Sequence, residues 1–291
     1  MRVLVTGARG MLGRDVVKTL EMKGHEVWGT DINLPEDRLD ITRQDQIRYA
    51  LSSYRPTWVV NCAAYTNVDK AEEQEEEAIL LNAKGPDLMA HACRKLKVRL
   101  MHISTDYIFD GTKGSPYTEE DIPNPINVYG MSKLAGENAI RHQMDDYIIL
   151  RTQWLIGQHG RSFISTILTA AQINESIRVV NDQWGSPTFT FDLAKAITQL
   201  MEIDARGVYH VCNRGKATWY DLANKAIELV GLSTKVIPVS TEEFPRPAKR
   251  PARTILSTKK FSDKTGKVMP IWQISLESFV QEYLQHVKGT A

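Results

Sequence analysis

A chain of 291 residues has room for one large α/β unit or two unequal lobes, and its 42% hydrophobic and 24% charged residues argue against disorder and against a coiled coil. The formal net charge of +1 gives no global electrostatic reason to expect nucleic acid or an anionic membrane as partner. Cys62, Cys93 and Cys212 are far apart and show no Cys-x-x-Cys spacing, which speaks against a disulfide framework or a zinc site and fits a reducing cytoplasm.

Met1 and Arg2 run straight into an apolar strand without the pattern of an export signal, and no apolar stretch approaches the ~18 to 20 residues that span a bilayer. Through the first half, short apolar runs alternate with longer amphipathic stretches, the pattern of βαβ units and a parallel sheet. Residues 3–5 read as a strand, 11–22 as a helix, 26–29 as a strand and 42–53 as a helix led by Asp40 and Thr42, stopped by Pro56. A strand at 58–60 precedes a long helix over 71–96 that must bend or restart at Gly85 and Pro86. The fourth strand covers 99–103, and the segment from Asp106 to Val128, rich in Gly, Pro, Asp and Asn, reads as a long functional loop. A helix over 128–142 and a strand over 147–150 follow.

Beyond that point the alternation loosens. The expected architecture is therefore a Rossmann-type doubly wound α/β sheet in residues 1–152, with a smaller C-terminal substrate-binding lobe formed by 153–175 and 213–291. The segment near 176–212 is expected to return to the first domain, with 177–188 entering its sheet. The lobe contains a helix over 220–229 and a Pro-interrupted basic loop over 245–253.

The run Gly7-Ala8-Arg9-Gly10-Met11-Leu12-Gly13 sits between the first strand and the first helix, where a tight turn aims backbone N–H groups at a dinucleotide pyrophosphate. The alternative is a glycine-rich corner with no ligand. Asp31, at the end of the second strand, is placed to accept hydrogen bonds from an adenosine ribose, and Arg9 can offset its repulsion of a 2′-phosphate. NADH and NADPH both remain open. Asp40 and Ile41 are candidates to flank the adenine, although Asp40 serves equally as a helix cap.

Tyr129 and Lys133 stand at i and i+4 on one helix face. A bare Tyr-x-x-x-Lys is common on surface helices. Here it follows a dinucleotide motif and a functional loop, so Tyr129 reads as a general acid toward a carbonyl oxygen, with Lys133 lowering the phenol's pKa and holding the nicotinamide ribose. Thr105, beyond the fourth strand, is placed to hydrogen-bond the reacting oxygen. Its simpler role is to satisfy the turn backbone.

These features resemble the extended short-chain dehydrogenase/reductase family, and longer strings narrow the resemblance to the dTDP-4-dehydrorhamnose reductases within it. The strings are Asn61 to Glu72, His102 to Gly111, Pro116 to Glu120 and Asn127 to Glu137, then Arg151-Thr152-Gln153-Trp154, Asp182 to Thr188 and Arg250-Pro251-Ala252-Arg253. The resemblance implies cofactor contacts from Met11, Leu12, Gly13, Asp31, Asp40, Ile41, Ala63, Ala64 and Tyr65. It implies contacts to a dTDP-sugar from Thr105, Asp106 and Trp154. The implied reaction is reduction of the C4 ketone of dTDP-4-dehydro-6-deoxy-L-mannose by NADH or NADPH. Tyr107 stands where sugar-nucleotide dehydratases carry Glu after Thr-Asp, which argues against dehydration. Another dTDP-hexulose reductase, an epimerase and a non-catalytic binding subunit stay open.

Some family members dimerise through a metal held by surface carboxylates, but Phe191 occupies a position where one is expected, so no metal is expected and a homodimer stays open. The acidic run Glu72 to Glu77 reads as a solvated face. Arg246, Lys249, Arg250 and Arg253 form either a clamp for the substrate diphosphate, Arg253 above all, or an exposed basic loop.

Overall fold

The computed structural model describes every residue except Arg161, Thr290 and Ala291, and the side chains as far as residue 285. In chain order its strands are β1 (Arg2–Thr6), β2 (Glu26–Thr30), β3 (Trp58–Asn61), β4 (Arg99–Thr105), β5 (Tyr147–Thr152), β6 (Leu155–Ile156), β7 (Ser176–Val180), β8 (Trp184–Gly185), β9 (Thr188–Phe189), β10 (Gly207–His210), β11 (Ala217–Thr218) and β12 (Lys235–Val239). The α-helices are α1 (Met11–Met22), α2 (Gln44–Tyr54), α3 (Val68–Ala71), α4 (Glu75–Ile79), α5 (Gly85–Leu96), α6 (Val128–Gln143), α7 (Phe163–Ile173), α8 (Thr190–Glu202), α9 (Trp219–Val230), α10 (Lys259–Thr265) and α11 (Trp272–Gly289).

Six parallel strands form the central sheet in the order β10-β5-β4-β3-β1-β2. The interior strands are buried on both faces, which is why they read as continuous apolar runs such as Trp58-Val59-Val60 rather than as alternating ones. One face packs on α1 and α8 through Val3, Val5, Val16, Leu20, Leu193 and Ile197. The other packs on α2, α5 and α6 through Leu4, Ile47, Val59, Met89 and Ile140. The direction of winding reverses at β1 and β3, and there the carboxyl ends of the strands leave a crevice. The expected Rossmann-type sheet is thus present.

A second apolar cluster lies apart from the sheet, built from α7, α9 and α11 with Ile164, Leu168, Phe189, Leu222, Leu276 and Phe279. Here the structure corrects one expectation. Residues 177–188 do not enter the central sheet: β7 pairs in parallel with β12 and packs with α7 and α9. The segment that does return is α8, which lies beside α1, followed by β10, whose Gly207–His210 pairs with Ile148–Arg151 of β5. The apolar residues of β7 face the second cluster, whereas Tyr209 and Val211 face the first.

The predicted helix over 71–96 is also broken differently. After α3, the chain runs from α4 to α5 through a π-helical turn at Leu80–Lys84, in which Gly85 N–H donates to the Leu80 carbonyl. Pro86 carries no N–H, so the ordinary helical bond back to residue 82 is impossible, and the wider turn absorbs the defect. It turns Asn82 inward, where its amide brackets the Tyr65 backbone, accepting from N–H at 2.9 Å and donating to C=O at 2.9 Å, and donates to Ser132 Oγ on α6 at 3.0 Å.

Candidate active site

The crevice opens into a cavity of about 880 Å³ whose walls come from the ends of β1, β3 and β4, the first turn of α1, and α6. Gly7 turns the chain out of β1 with φ +66°, and a Cβ there would press on the Ala63 backbone at 2.7 Å, so only glycine fits. The N-cap of α1 is Gly10; no side chain caps this helix end and no carboxylate stands in its first turn. Its N–H groups and the positive end of its dipole therefore face the cavity uncompensated, the arrangement that receives a phosphate.

Asp31 is buried beside this loop. Its carboxylate accepts Arg9 N–H at 3.1 Å and Asn33 N–H at 3.0 Å, so it ties the glycine loop to the turn after β2 while still lining the cavity. Asp40 also lines the cavity and closes its own turn, accepting from the Thr42 N–H and hydroxyl at 2.9 and 2.7 Å. That turn uses up residues 40–43, so α2 starts at Gln44 instead of Thr42.

Opposite, Asn127 and Glu72 hold the start of α6. Asn127 Oδ1 accepts Gly130 N–H at 2.8 Å and Glu72 Oε1 accepts Val128 N–H at 2.9 Å. Glu72 is therefore not part of a merely solvated face, and Glu77 of the same run lines the cavity. A Cβ at Gly130 would overlap the Tyr107 carbonyl oxygen, and this close approach of α6 to the turn after β4 brings Tyr129 to Thr105. Tyr107 meets the Tyr129 ring edge-on at 5.7 Å.

Burial pushes the Tyr129 phenol up to about 12, against the opposing effect of a side-chain hydrogen bond with Thr105. The expected lowering by Lys133 is not seen. The Lys133 ammonium donates instead to the Ile103 carbonyl at 2.7 Å and lies 3.2 Å from His102 Nε2, and burial brings its own pKa down to about 8. Asp106 is pushed up to about 6 by burial and is satisfied by the hydroxyls of Thr254 and Thr105. Thr105 Oγ1 also accepts Tyr107 N–H at 3.2 Å, so its turn-capping role is present together with its place on the cavity wall.

The structure brings Gly7, Gly10, Met11, Leu12, Gly13, Asp31, Asp40, Ile41, Ala63, Ala64, Thr105, Asp106, Tyr129, Lys133 and Trp154 to this one cavity. Arg9, Tyr65 and Arg253 do not line it. The Tyr65 hydroxyl donates to Gln74 Oε1 at 2.6 Å. In the basic loop, Arg250 pairs with Asp69 at 2.9 Å and Arg246 reaches the same carboxylate at 4.0 Å. Arg253 lies 5.7 Å over the Trp184 ring, and no carboxylate pairs with it among the described residues.

Sequence reasoning missed several wall residues. The Trp154 ring stacks on Trp219 at 3.6 Å, and Phe163 leans on Trp219 from α7. Trp154 reaches this position with φ +47°, a backbone strain of ~1–3 kcal/mol that the stack and the Thr188 N–H to Trp154 carbonyl bond sustain. Cys62, Gln153, Ser162, Phe163 and Trp219 also line the cavity. Only Cys62 and Gln153 had a local signal, each being adjacent to a residue singled out.

A parallel sheet with an uncapped glycine turn at its switch point, faced by a Tyr-x-x-x-Lys helix, defines the Rossmann-type short-chain oxidoreductases. The family model described as the RmlD substrate binding domain matches residues 1–285. A dTDP-4-keto-6-deoxy-D-glucose reductase of Streptomyces niveus is 44% identical over 257 residues, 88% of each chain. A dTDP-4-dehydrorhamnose reductase of Mycolicibacterium smegmatis is 38% identical, covering 96% of this chain and 85% of its own. The crystal structure of dTDP-4-dehydrorhamnose reductase from Bacillus anthracis in complex with NADP superposes with a TM-score of 0.93 at 38% identity, covering 97% of this chain and 99% of that one. The chain belongs to the dTDP-4-dehydrorhamnose reductase family.

Proposed function

We propose that the chain reduces the C4 ketone of dTDP-4-dehydro-6-deoxy-L-mannose to dTDP-L-rhamnose with NADPH or NADH, and that Tyr129 is the proton donor. The observation that carries this reading is the convergence of Thr105, Tyr129 and Lys133 on the cavity that begins at the glycine turn. The fit of a dinucleotide is supported by the uncapped first turn of α1 and by the small Ala63 and Ala64 at the end of β3. Gly7, Gly10, Met11, Leu12 and Gly13 hold the pyrophosphate, with Arg9 on the same turn but off the cavity wall; Asp31 takes the adenosine ribose; Asp40, Ile41, Ala63 and Ala64 border the rest, with Tyr65 behind Ala64 rather than on the wall.

When bound, the nicotinamide supplies the hydride. Tyr129, with its pKa up at about 12, keeps its proton at neutral pH and gives it to the oxygen that becomes negative at C4. The Thr105 hydroxyl, which donates to Asp106 in the structure, turns to donate its one hydrogen bond to the same oxygen, and Lys133 supplies the neighbouring positive charge. Trp154 and Asp106 border the sugar, and Arg253 is assigned to the diphosphate.

A second reading shares this chemistry and differs in the sugar, because the 44% identical relative is named for dTDP-4-keto-6-deoxy-D-glucose. Incubation with dTDP-4-dehydro-6-deoxyglucose and NADPH, with and without a 3,5-epimerase, separates the two. dTDP-L-rhamnose formed only with the epimerase supports the first reading. A reduced D-sugar formed without it supports the second.

A further inference from the structure

His102 is fully buried on β4 and does not line the cavity, yet its two ring nitrogens reach two different polar side chains. Nε2 lies 3.2 Å from Lys133 Nζ, and Nδ1 lies 3.1 Å from the Asn61 side-chain amide at the end of β3. Asn61 Oδ1 in turn accepts from the Thr6 hydroxyl at the end of β1 at 2.6 Å, which leaves the Asn61 NH2 toward His102. Thr6, Asn61 and His102 thus form a buried line across three adjacent strands, directly beneath the cavity floor, and the line ends on Lys133. Buried polar groups are costly unless each has a partner, so a line of this length is maintained only if every member is matched.

We propose that His102, backed by Asn61 and Thr6, is a positioning residue that holds the Lys133 side chain in place and in its charged form. The inference rests on the reading of Lys133 as the cofactor-holding cation. An ammonium has three N–H groups; Ile103 C=O takes one, His102 Nε2 a second, and the third is left for the cavity. For Nε2 to accept, the neutral imidazole carries its proton on Nδ1, and the Asn61 amide turns over so that its oxygen accepts from Nδ1 and its NH2 faces Thr6. If Lys133 loses its proton the line takes the Asn61 orientation found in the structure: Nε2–H donates to the amine, Nδ1 accepts from the Asn61 NH2, and Thr6 donates to the Asn61 oxygen. The tautomer of His102 therefore follows the charge of Lys133.

His102 itself stays neutral, because burial first and the Lys133 charge second hold its pKa well below the usual range. The other groups facing Lys133 are Tyr129 and Glu137, a turn to either side on α6, and Cys62 after β3. Burial outweighs the support of Glu137 and Cys62 and leaves Lys133 at about 8, a value at which one accepted hydrogen bond decides its charge at working pH.

The test is the NADPH dissociation constant of the whole protein, without sugar, measured across the neutral to alkaline range. Wild-type affinity falls as pH rises through the Lys133 midpoint near 8. His102→Leu removes the acceptor and moves that midpoint down by about one pH unit or more, and His102→Gln, whose side-chain oxygen accepts, restores most of the shift. Lys133→Met abolishes the pH dependence. A cooperatively melting His102→Leu protein with an unmoved midpoint overturns the role of His102 and leaves that of Lys133 standing. A pH dependence that survives Lys133→Met overturns both. Should His102→Leu not fold, the 15N shifts of the wild-type imidazole decide: unprotonated Nε2 below the midpoint is expected, and Nε2 protonated at every pH overturns the proposal.

Discussion

Two helices present their N-termini to the same cavity, and they are finished in opposite ways. The end of α1 has Gly10 as its cap, no side-chain acceptor and no acid in its first turn. The end of α6 is closed twice, by Asn127 from within the chain and by Glu72 from the segment before α4. An unfinished end keeps its N–H groups and dipole for an anion, whereas a finished one gives them up in exchange for a fixed position. The difference separates binding from positioning: α1 offers backbone to a dinucleotide, and α6 offers a phenol and an ammonium whose placement is set by its anchored start.

The contrast can be broken at either end. The largest effect is expected at Gly130, where even one methyl group meets the Tyr107 carbonyl oxygen. Gly130→Ala displaces Tyr129 from Thr105 and lowers turnover by ~100-fold, read in a steady-state NADPH assay, with cofactor affinity changed far less. At the other helix, Met11→Glu places a carboxylate in the open first turn of α1. NADPH affinity falls by ~10-fold or more, while thermal stability holds or rises, since an acid there suits the dipole by ~0.3–1 kcal/mol. Loss of both affinity and stability would mean that the turn is merely a packing feature. The smallest effect is on the finished end: Asn127→Ala removes one cap and costs ~1 kcal/mol in urea unfolding, with Glu72 still in place.

The same contrast explains what the sequence could reveal. The glycine turn, Asp31, and the Tyr129 and Lys133 pair are local patterns, each complete within one turn or one strand-to-helix junction. The strands β1 to β5 were legible because burial on both faces leaves continuous apolar runs. β10 was not, being four residues entered from a glycine, and β7 carries as strong a strand pattern but faces a different cluster. The π turn at Leu80–Lys84 has no compositional mark beyond the Pro86 that follows it. The anchoring of α6 by Glu72, the Trp154–Trp219 stack and the His102 line join residues 31 to 65 positions apart, and only the fold brings them together. The misjudged electrostatics have the same origin. Spacing places Lys133 one turn from Tyr129, but β4 supplies the carbonyl and the imidazole that occupy its ammonium.

The measurement that bears most directly on the proton-donor role is turnover of Tyr129→Phe on dTDP-4-dehydro-6-deoxy-L-mannose, generated in place, alongside its dissociation constant for NADPH. The phenylalanine ring fills the same buried site without a proton to give. The expected result is turnover reduced by ~100-fold or more with cofactor affinity within about twofold of wild type. Near-normal turnover would contradict the account, because the proton would then reach the C4 oxygen from another group.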